Sequence, residues 1–263
     1  MRVVKTLLQR CGEVIEFMAG SGAACRLSDV AAALELPKSA THRLLRELCA
    51  LGWVEQSGAD GRYALTLRFA LLGHRVLQAN RLPDLVQPVL DAVAAATGEL
   101  VRLTIATERG LMWFAFAQGA PPGLVYQPAM QGEVLLHATA NGKAYLSTLG
   151  DAAALDLAWR GGLGARRPTS RTVSTAAELC QELAETRARG YAVAMEEAEP
   201  GIVAVAVAVR PHGRDAIGTI SVAGPSMRIG ADRIPVLADA LRAAAATLAD
   251  TSRSLIRNSE ERP

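Results

Sequence analysis

The chain has 263 residues, of which 50% are hydrophobic, and its formal net charge at pH 7 is +2. This length is enough for one large domain or two ordinary ones, each with a buried core. The longest apolar run, Ile202 to Val209, has 8 residues and is too short to cross a bilayer. The N-terminal stretch carries too much charge for a signal peptide. We therefore expect a cytoplasmic protein without a membrane partner.

Cysteine spacing argues against metal and redox chemistry. Cys11, Cys25, Cys49 and Cys180 are scattered, and none belongs to a CxxC pair or lies at zinc-ligand spacing from a histidine. A disulfide framework is equally disfavoured. We expect no metal and no cofactor.

The first 80 residues are mildly basic, with 10 Lys and Arg against 7 Asp and Glu. Hydrophobic periodicity and start and stop signals predict five elements there. They are a helix over residues 3–19, a short helix from Ser28 to about Glu35, a helix from Pro37 to about Leu51, a β-hairpin over 53–66 and a helix from Leu67 to Ala79. This order is typical of a winged helix-turn-helix followed by a linker helix.

Residues beyond 81 alternate helices and strands, which indicates a mixed sheet flanked by helices. The expected helices are Leu85–Thr97, one starting near Ala140, Asp151–Trp159, Ala176–Arg189 and Ala231–Ile256. The expected strands are Leu100–Thr107, Leu111–Ala117, one near Leu124–Gln127, Tyr191–Ala194, Ile202–Val209 and Ala216–Val222.

These patterns divide the chain into four parts. We expect a winged helix-turn-helix domain over residues 1–66 and a linker helix over 67–81. A C-terminal domain of helices and strands is expected over 82–257, and a disordered tail over 258–263.

The stretch LPKSATHRLLREL separates into two stripes on a helical wheel. The outward stripe contains Ser39, His42, Arg43 and Arg46. The inward stripe contains Thr41, Leu44, Leu45 and Leu48. Arginine suits guanine O6 and N7 in the major groove, and serine and histidine can hydrogen-bond bases or phosphates. A DNA-reading surface is therefore predicted, and the alternative is a solvated face that happens to be basic.

Four stretches resemble one family. LSDVAAALELPKSATHRLLRELCALGWVEQSGADGRYALT resembles the winged helix of the IclR family of bacterial transcription regulators. HATANGKAYL, EEAEPGIVAVAVAV and GTISVAGPSMRI resemble later parts of that family, in its order. The resemblance spans nearly the whole chain. It implies an α+β fold with an N-terminal winged helix-turn-helix, a linker helix and a C-terminal mixed α/β effector-binding domain that is GAF-like.

The resemblance also implies partners: double-stranded operator DNA, a small-molecule effector, and further copies of the chain in a homodimer or homotetramer. The implied DNA-binding residues are Lys38, Ser39, Thr41, His42, Arg43, Arg46 and, on the wing, Arg62. At Thr41 the two inferences disagree, because the wheel places this residue on the inner stripe. Whether the protein represses or activates is not encoded in its residues.

The effector site is also implied by the resemblance. In family members that bind small oxo-acids, backbone amides at a helix start hold the carboxylate, and these positions align with Ala140 and Asn141. Polar side chains of the family align with Ala194, Ala204, Ser221 and Ala223, so three of the four are alanine in this chain. Val134 and Ile202 are the expected wall residues.

Alanines at these positions change the expected ligand. Each polar group of a ligand that is buried without a hydrogen-bond partner weakens binding by about 1–3 kcal/mol. A site floored by alanines therefore binds a small, heavily polar acid poorly. It suits an apolar or aromatic body, with one carboxylate at Ala140 and Asn141. The alternative is that the alanines reflect an alanine-rich composition and other residues rebuild the pocket.

Two further functions are open: a small-molecule-binding enzyme that uses the winged helix for oligomerisation, and a protein–protein adaptor that uses the winged helix as an interaction surface. His137 is the obvious catalytic candidate, but no GxSxG or other nucleophile motif accompanies it. The fragment NGKA lacks the upstream glycine and the Ser/Thr of a phosphate loop. We therefore expect no catalytic residue.

Overall fold

The computed structural model describes residues 5–58, 60–79, 82–128 and 134–260. Contacts divide the chain into two compact units, 1–81 and 82–263. Within the described ranges, no helix is long and apolar enough to cross a membrane, and no group of three or more His, Cys, Asp or Glu could hold a metal ion.

The N-terminal unit is a winged helix-turn-helix, which confirms the expected order of elements. Its elements are α1 (Leu7–Ser21), α2 (Leu27–Ala33), α3 (Lys38–Ala50), β1 (Val54–Gln56), β2 (Tyr63–Leu65) and α4 (Arg68–Ala79). Strands β1 and β2 pair antiparallel, and Cys25 adds an isolated bridge to Tyr63. The core residues are Val14, Met18, Cys25, Val30, Leu44, Leu45, Leu48, Val54 and Tyr63.

Local signals fix the ends of these helices. Helix α1 starts at Leu7 rather than residue 3 because Thr6 caps it, accepting a hydrogen bond from Gln9 N and donating its own N–H to Gln9 Oε1. The helix ends at Gly22, whose φ of 63° is left-handed. Between α2 and α3 the chain turns through Glu35, which adopts a left-handed φ of 51°. This tight turn sets the angle of α3.

The C-terminal unit is built on a five-stranded sheet. Its helices are α5 (Leu82–Thr97), α6 (Ala140–Leu146), α7 (Asp151–Arg160), α8 (Ala176–Arg189) and α9 (Arg233–Glu260). Its strands are β3 (Leu100–Thr107), β4 (Gly110–Gln118), β5 (Ala192–Met195), β6 (Ile202–Val209) and β7 (Gly218–Pro225). The strand order is β4-β3-β7-β6-β5, and every pairing is antiparallel. The α+β class is confirmed, whereas the expected mixture of parallel and antiparallel strands is wrong.

Two other expectations are also wrong. The strand expected near residues 124–127 is absent: these residues are irregular and pair with no strand of the sheet. Helix α9 continues to Glu260, so residues 258–260 are helical where a disordered tail was expected. Residues 261–263 of that tail lie outside the described ranges.

The two faces of the sheet carry different side chains. Along β6, Val203, Val205 and Val207 point to a core shared with α5 and α9, because successive strand residues face opposite sides. Ala204 and Ala206 point to the other face and pack against Ala140 and Ala144 of α6, together with Ala192, Ala194 and Ala223. Small side chains on both surfaces let α6 lie directly on the strands.

Helix α6 is almost completely enclosed. All its residues except Tyr145 are buried. A Cβ added to Gly142 would lie 2.2 Å from the carbonyl oxygen of Leu136, so only glycine fits there. The ammonium group of Lys143 is fully buried and donates to both carboxylate oxygens of Glu197, at 2.8 and 3.0 Å, and to Glu182 at 3.1 Å. These bonds join α6 to α8 and to the turn after β5.

Glu197 is itself well anchored. Its carboxylate accepts a hydrogen bond from the backbone N–H of Met195 at 3.1 Å, and its carbonyl oxygen accepts one from the Thr172 hydroxyl at 2.6 Å. Burial raises the pKa of the Glu197 carboxyl, and the neighbouring Lys143 ammonium opposes this rise.

Replacing Lys143 by methionine is expected to destabilise the C-terminal unit by about 3–5 kcal/mol, because the Glu197 carboxylate is left buried without its counter-charge. The folded-state pKa of Glu197 should then rise further above the unfolded value. Stability should be lost as the pH rises through the folded pKa and be regained below about pH 4.3. Urea denaturation across a pH series measures this. The double variant Lys143→Met/Glu197→Gln should recover much of the loss, and a pH-independent loss would contradict the assignment.

Candidate functional site

Helix α3 presents one exposed and one buried stripe, as the wheel predicted. Ser39, His42, Arg43 and Arg46 are exposed, together with Lys38 in the first turn. Leu44, Leu45 and Leu48 are buried in the core of the N-terminal unit. The exposed stripe therefore offers three cationic groups and two hydrogen-bonding side chains to a partner. The partner that this chemistry suits is a polyanion.

Thr41 does not belong to this surface. Its side chain is fully buried, and its hydroxyl donates to the carbonyl oxygen of Pro37 at 3.2 Å. The implied role of Thr41 in contacting DNA is therefore wrong. The residue satisfies the backbone at the start of α3, while its neighbour His42 faces outward.

The wing carries an ion pair that the sequence analysis did not anticipate. Arg62 Nε lies 3.0 Å from Asp60 Oδ2, and the Arg62 side chain is 41% exposed. The backbone N–H of Arg62 also donates to Asp60 Oδ1, and this bond is the main cause of the lowered pKa of Asp60. Asp60 thus offsets part of the positive charge of Arg62 at the tip of the hairpin.

A small cavity lies between α6, β5 and β6, with a volume of about 20 Å³, which is room for about one water molecule. Five of the residues expected at the effector site line it: Ala140, Asn141, Ala194, Ile202 and Ala204. The structure adds Arg102, Tyr126, Thr139, Ala198 and Glu199 to the lining.

The other three expected residues lie elsewhere. Val134 packs in a separate core with Leu111 and Leu136, so its assignment as a pocket wall is wrong. Ala223 is buried beneath the lining, paired with Ala204 across the sheet. Ser221 is fully buried on the same face, and its Oγ has no hydrogen-bond partner in the described part of the chain.

Some polar groups at the start of α6 are already bound within the protein. Helix α6 has 7 residues, and its cap Thr139 already accepts the N–H of Gly142 at 3.0 Å. The Asn141 side chain donates to Thr219 Oγ1 at 2.9 Å, which leaves Asn141 Oδ1 buried without a partner among the described residues. The Thr219 hydroxyl in turn lies 2.6 Å from that of Thr104.

Arg102 is the charged residue that the sequence analysis missed. It lies on β3 directly opposite Ser221 on β7, and its side chain is on the face of the sheet that carries the alanines. Its guanidinium carbon stacks 4.0 Å from the ring centre of Trp113 and lies 6.0 Å from that of Tyr126. An arginine inside the apolar run ELVRLTIAT was the available signal, because a strand buried on both faces seldom carries a charge.

Tyr126 occupies the space that the alanines leave. Its ring packs against the cluster that Ala194 and Ala204 share with α6. Burial raises the pKa of Tyr126 to about 12, so the phenol stays protonated. Glu199, which is exposed at the edge of the cavity, is a hydrogen-bond partner of this side chain.

His137 is structural in this arrangement. Its ring is buried, and burial lowers the pKa of the imidazole, which favours the neutral form. Nε2 lies 2.8 Å from the carbonyl oxygen of Arg166, which can only accept, so Nε2 carries the proton and donates. No described nucleophile or carboxylate hydrogen-bonds the ring, as an acid–base role would require.

Comparison with known proteins agrees with this arrangement. The IclR helix-turn-helix domain matches residues 7–58, and the C-terminal domain of bacterial transcriptional regulator IclR matches residues 74–250. The acetate operon repressor of Salmonella typhimurium is 32% identical over 231 residues, covering 88% of this chain and 84% of that protein.

Solved structures share the fold. An IclR transcriptional regulator from Alicyclobacillus acidocaldarius superposes with a TM-score of 0.81 at 23% identity, covering 95% of this chain and 100% of that one. An IclR homologue from Microbacterium hydrocarbonoxydans, solved with 4-hydroxybenzoate, has a TM-score of 0.73 at 24% identity, covering 95% and 100%. With both family models and a repressor of this similarity, the chain belongs to the IclR family of bacterial transcriptional regulators, and it is a regulator rather than an enzyme.

Proposed function

We propose that this regulator represses transcription by binding operator DNA through α3 as a homo-oligomer, and that a small organic acid bound in the C-terminal unit controls this binding. The observation that carries the proposal is the exposed stripe of α3, with Arg43 and Arg46 opposite the buried Leu44, Leu45 and Leu48. The repressor named among the relatives supports the sign of regulation. A DNA partner also supports a cytoplasmic location.

The stripe suits the major groove of DNA. In helix-turn-helix proteins the second helix lies in that groove, and its N-terminal residues meet base edges. Ser39 and His42 lie in the first turns of α3, where base contacts are expected, and Lys38 is placed to meet phosphate. Arg46 is only loosely held by Glu47, at 3.8 Å, and can turn to the DNA.

Replacing Arg43 or Arg46 by alanine is expected to weaken operator binding about tenfold or more, since such a contact is worth about 1–3 kcal/mol. Gel shifts with the DNA upstream of its own gene, over a series of salt concentrations, measure the affinity. If the replaced arginine contacts a phosphate, its loss should also reduce the slope of log affinity against log salt concentration by about 1.

Two matched controls accompany this test. Thr41→Val alters the buried face of the same helix, and Arg160→Ala removes an exposed arginine from α7 in the other unit. Neither should change the salt slope. Equal binding by the Arg43 and Arg46 variants and the wild type would contradict the role of α3.

An apolar surface on α1 and α4 supports self-association. No residue of α4 is buried, even though the helix contains several leucines. Leu71 is 59% exposed, and its neighbour Leu72 is 41% exposed. On α1, Leu8 is 82% exposed and Leu7 is also exposed. Exposed leucines at adjacent positions of a helix, as on α1 and on α4, are typical of interaction surfaces. A second copy is the occupant that a two-fold operator requires, since each winged helix reads one half-site.

Replacing Leu71 by glutamate is expected to dissociate the oligomer, because a carboxylate is costly to bury in an apolar interface. The mass in solution should fall by sedimentation analysis, and operator affinity should fall with it. Gln78→Glu adds the same charge on exposed α4 and serves as the control. An unchanged mass for Leu71→Glu would exclude this surface from the interface.

We propose the cavity at Ala194, Ala204 and Tyr126 as the effector site. The homologue from Microbacterium hydrocarbonoxydans is bound to 4-hydroxybenzoate, an aromatic carboxylate. An acid of that size exceeds the present 20 Å³, so it must displace the Tyr126 ring from the alanine cluster. Tyr126 would then act as a plug in the ligand-free state.

Replacing Tyr126 by alanine is expected to tighten the binding of 4-hydroxybenzoate, because the ring no longer has to be moved. A displacement cost of about 1.4 kcal/mol corresponds to tenfold in Kd. Calorimetry against aromatic acids, glyoxylate and pyruvate measures this, with Leu124→Ala, an exposed residue of the same segment, as the control. Tight glyoxylate binding with no response to aromatic acids would contradict an aromatic effector.

A further inference from the structure

Arg102 is a buried cation without an ion-pair partner within 4.0 Å in the described part of the chain. The residue is 7% exposed, and its Nε makes no hydrogen bond to a described residue. A guanidinium stays charged in proteins, even though burial lowers the pKa of Arg102. A buried charge that is not paired destabilises the fold, so such a residue calls for an explanation outside core packing.

The surroundings of Arg102 hold the guanidinium without neutralising it. Trp113 offers its ring face at 4.0 Å, which provides cation–π attraction but no acceptor oxygen. Glu199 attracts Arg102 electrostatically from the edge of the cavity, but it is exposed and forms no ion pair within 4.0 Å among the described residues. Stacking fixes the plane of the guanidinium and leaves its N–H groups available.

Two more buried polar groups are unsatisfied at the same place. Ser221 Oγ lies at the register position opposite Arg102, and Asn141 Oδ1 belongs to a residue that lines the same cavity as Arg102. Three unsatisfied polar groups within one small region of a buried sheet face are unusual, because buried polar groups are normally hydrogen-bonded. A ligand with both acceptor and donor groups would satisfy them.

We propose that Arg102 binds the carboxylate of the effector, which makes this a site for organic anions and not for neutral molecules. The inference rests on the proposed function only in taking this cavity as the effector site. The fork of a guanidinium matches the two oxygens of a carboxylate, and the Ser221 hydroxyl can donate to the same group. Asn141 Oδ1, which only accepts, suits a hydroxyl or other donor elsewhere on the ligand.

The stacked arginine also explains selectivity. A carboxylate at Arg102 gains a charge-assisted pair in a site shielded from water, whereas a neutral amide of the same shape leaves the cation unpaired. A planar ring that replaces Tyr126 would occupy the space between this anionic end and the alanines Ala194 and Ala204. Charge and shape are thus read by different residues.

The binding test compares 4-hydroxybenzoate and benzoate with their amides, 4-hydroxybenzamide and benzamide, by calorimetry on the full-length protein. The wild type should prefer each acid over its amide by about tenfold or more. Arg102→Met, which keeps length but not charge, should lose this preference and bind acid and amide alike. Arg102→Lys should retain part of it. Arg160→Met, an exposed arginine of the same unit, should behave as wild type.

The stability of the ligand-free protein gives a second readout. If Arg102 serves a ligand, then Arg102→Met removes an unpaired buried charge and should raise the melting temperature without ligand. The acids should raise the melting temperature of the wild type more than their amides do, whereas acid and amide should raise that of Arg102→Met equally. A fall in the melting temperature of ligand-free Arg102→Met would show a structural partner and overturn the proposal.

The outcomes separate this inference from the proposed function. If Arg102→Met keeps the wild-type preference for acids, Arg102 is not the anion-binding group, while the effector site stands. If Tyr126→Ala and the wild type both bind no acid and no amide, the effector site at this cavity fails, and the inference fails with it. Loss of acid preference in Arg102→Met alone supports both.

Discussion

The buried ammonium group of Lys143, held by Glu197 and Glu182, is the interaction on which the packing of α6 against the sheet depends. This group ties α6 to Glu197 and Glu182. Gly142 lets the helix approach the Leu136 backbone so closely that no side chain fits at position 142. Once α6 is held there, Ala140 and Asn141 lie against the strands, and the cavity takes its shape between them.

The alanines of the sheet have a structural purpose that also shapes ligand choice. Small side chains at Ala204 and Ala206 allow α6 to pack on β6 without a gap, which accounts for them without any ligand. The same choice leaves few polar groups on this face, and those of Arg102, Ser221 and Asn141 include atoms without a hydrogen-bond partner among the described residues. Close packing and an apolar ligand site are therefore two results of one pattern.

Stability and function oppose each other at Arg102. An unpaired buried cation costs folding free energy, and proteins keep such groups where a ligand repays it. In the N-terminal unit the cationic side chains cost less folding free energy, because those of α3 are exposed and solvated. There, the cost of clustering Lys38, Arg43 and Arg46 is only repulsion that water screens. The two units thus carry their cationic groups in different environments, exposed on α3 and buried at Arg102.

The sequence by itself determined the local features of this protein. Periodicity and capping residues predicted the winged helix, the two stripes of α3 and most strands, because these depend on neighbours along the chain. Only the tertiary structure decided which residues meet across the sheet. It buried Thr41, placed Val134 in another core, left 124–127 outside the ladders and extended α9 into the first residues of the expected tail. It also brought Arg102 opposite Ser221, 119 positions later, through pairing of β3 with β7 that no local pattern encodes.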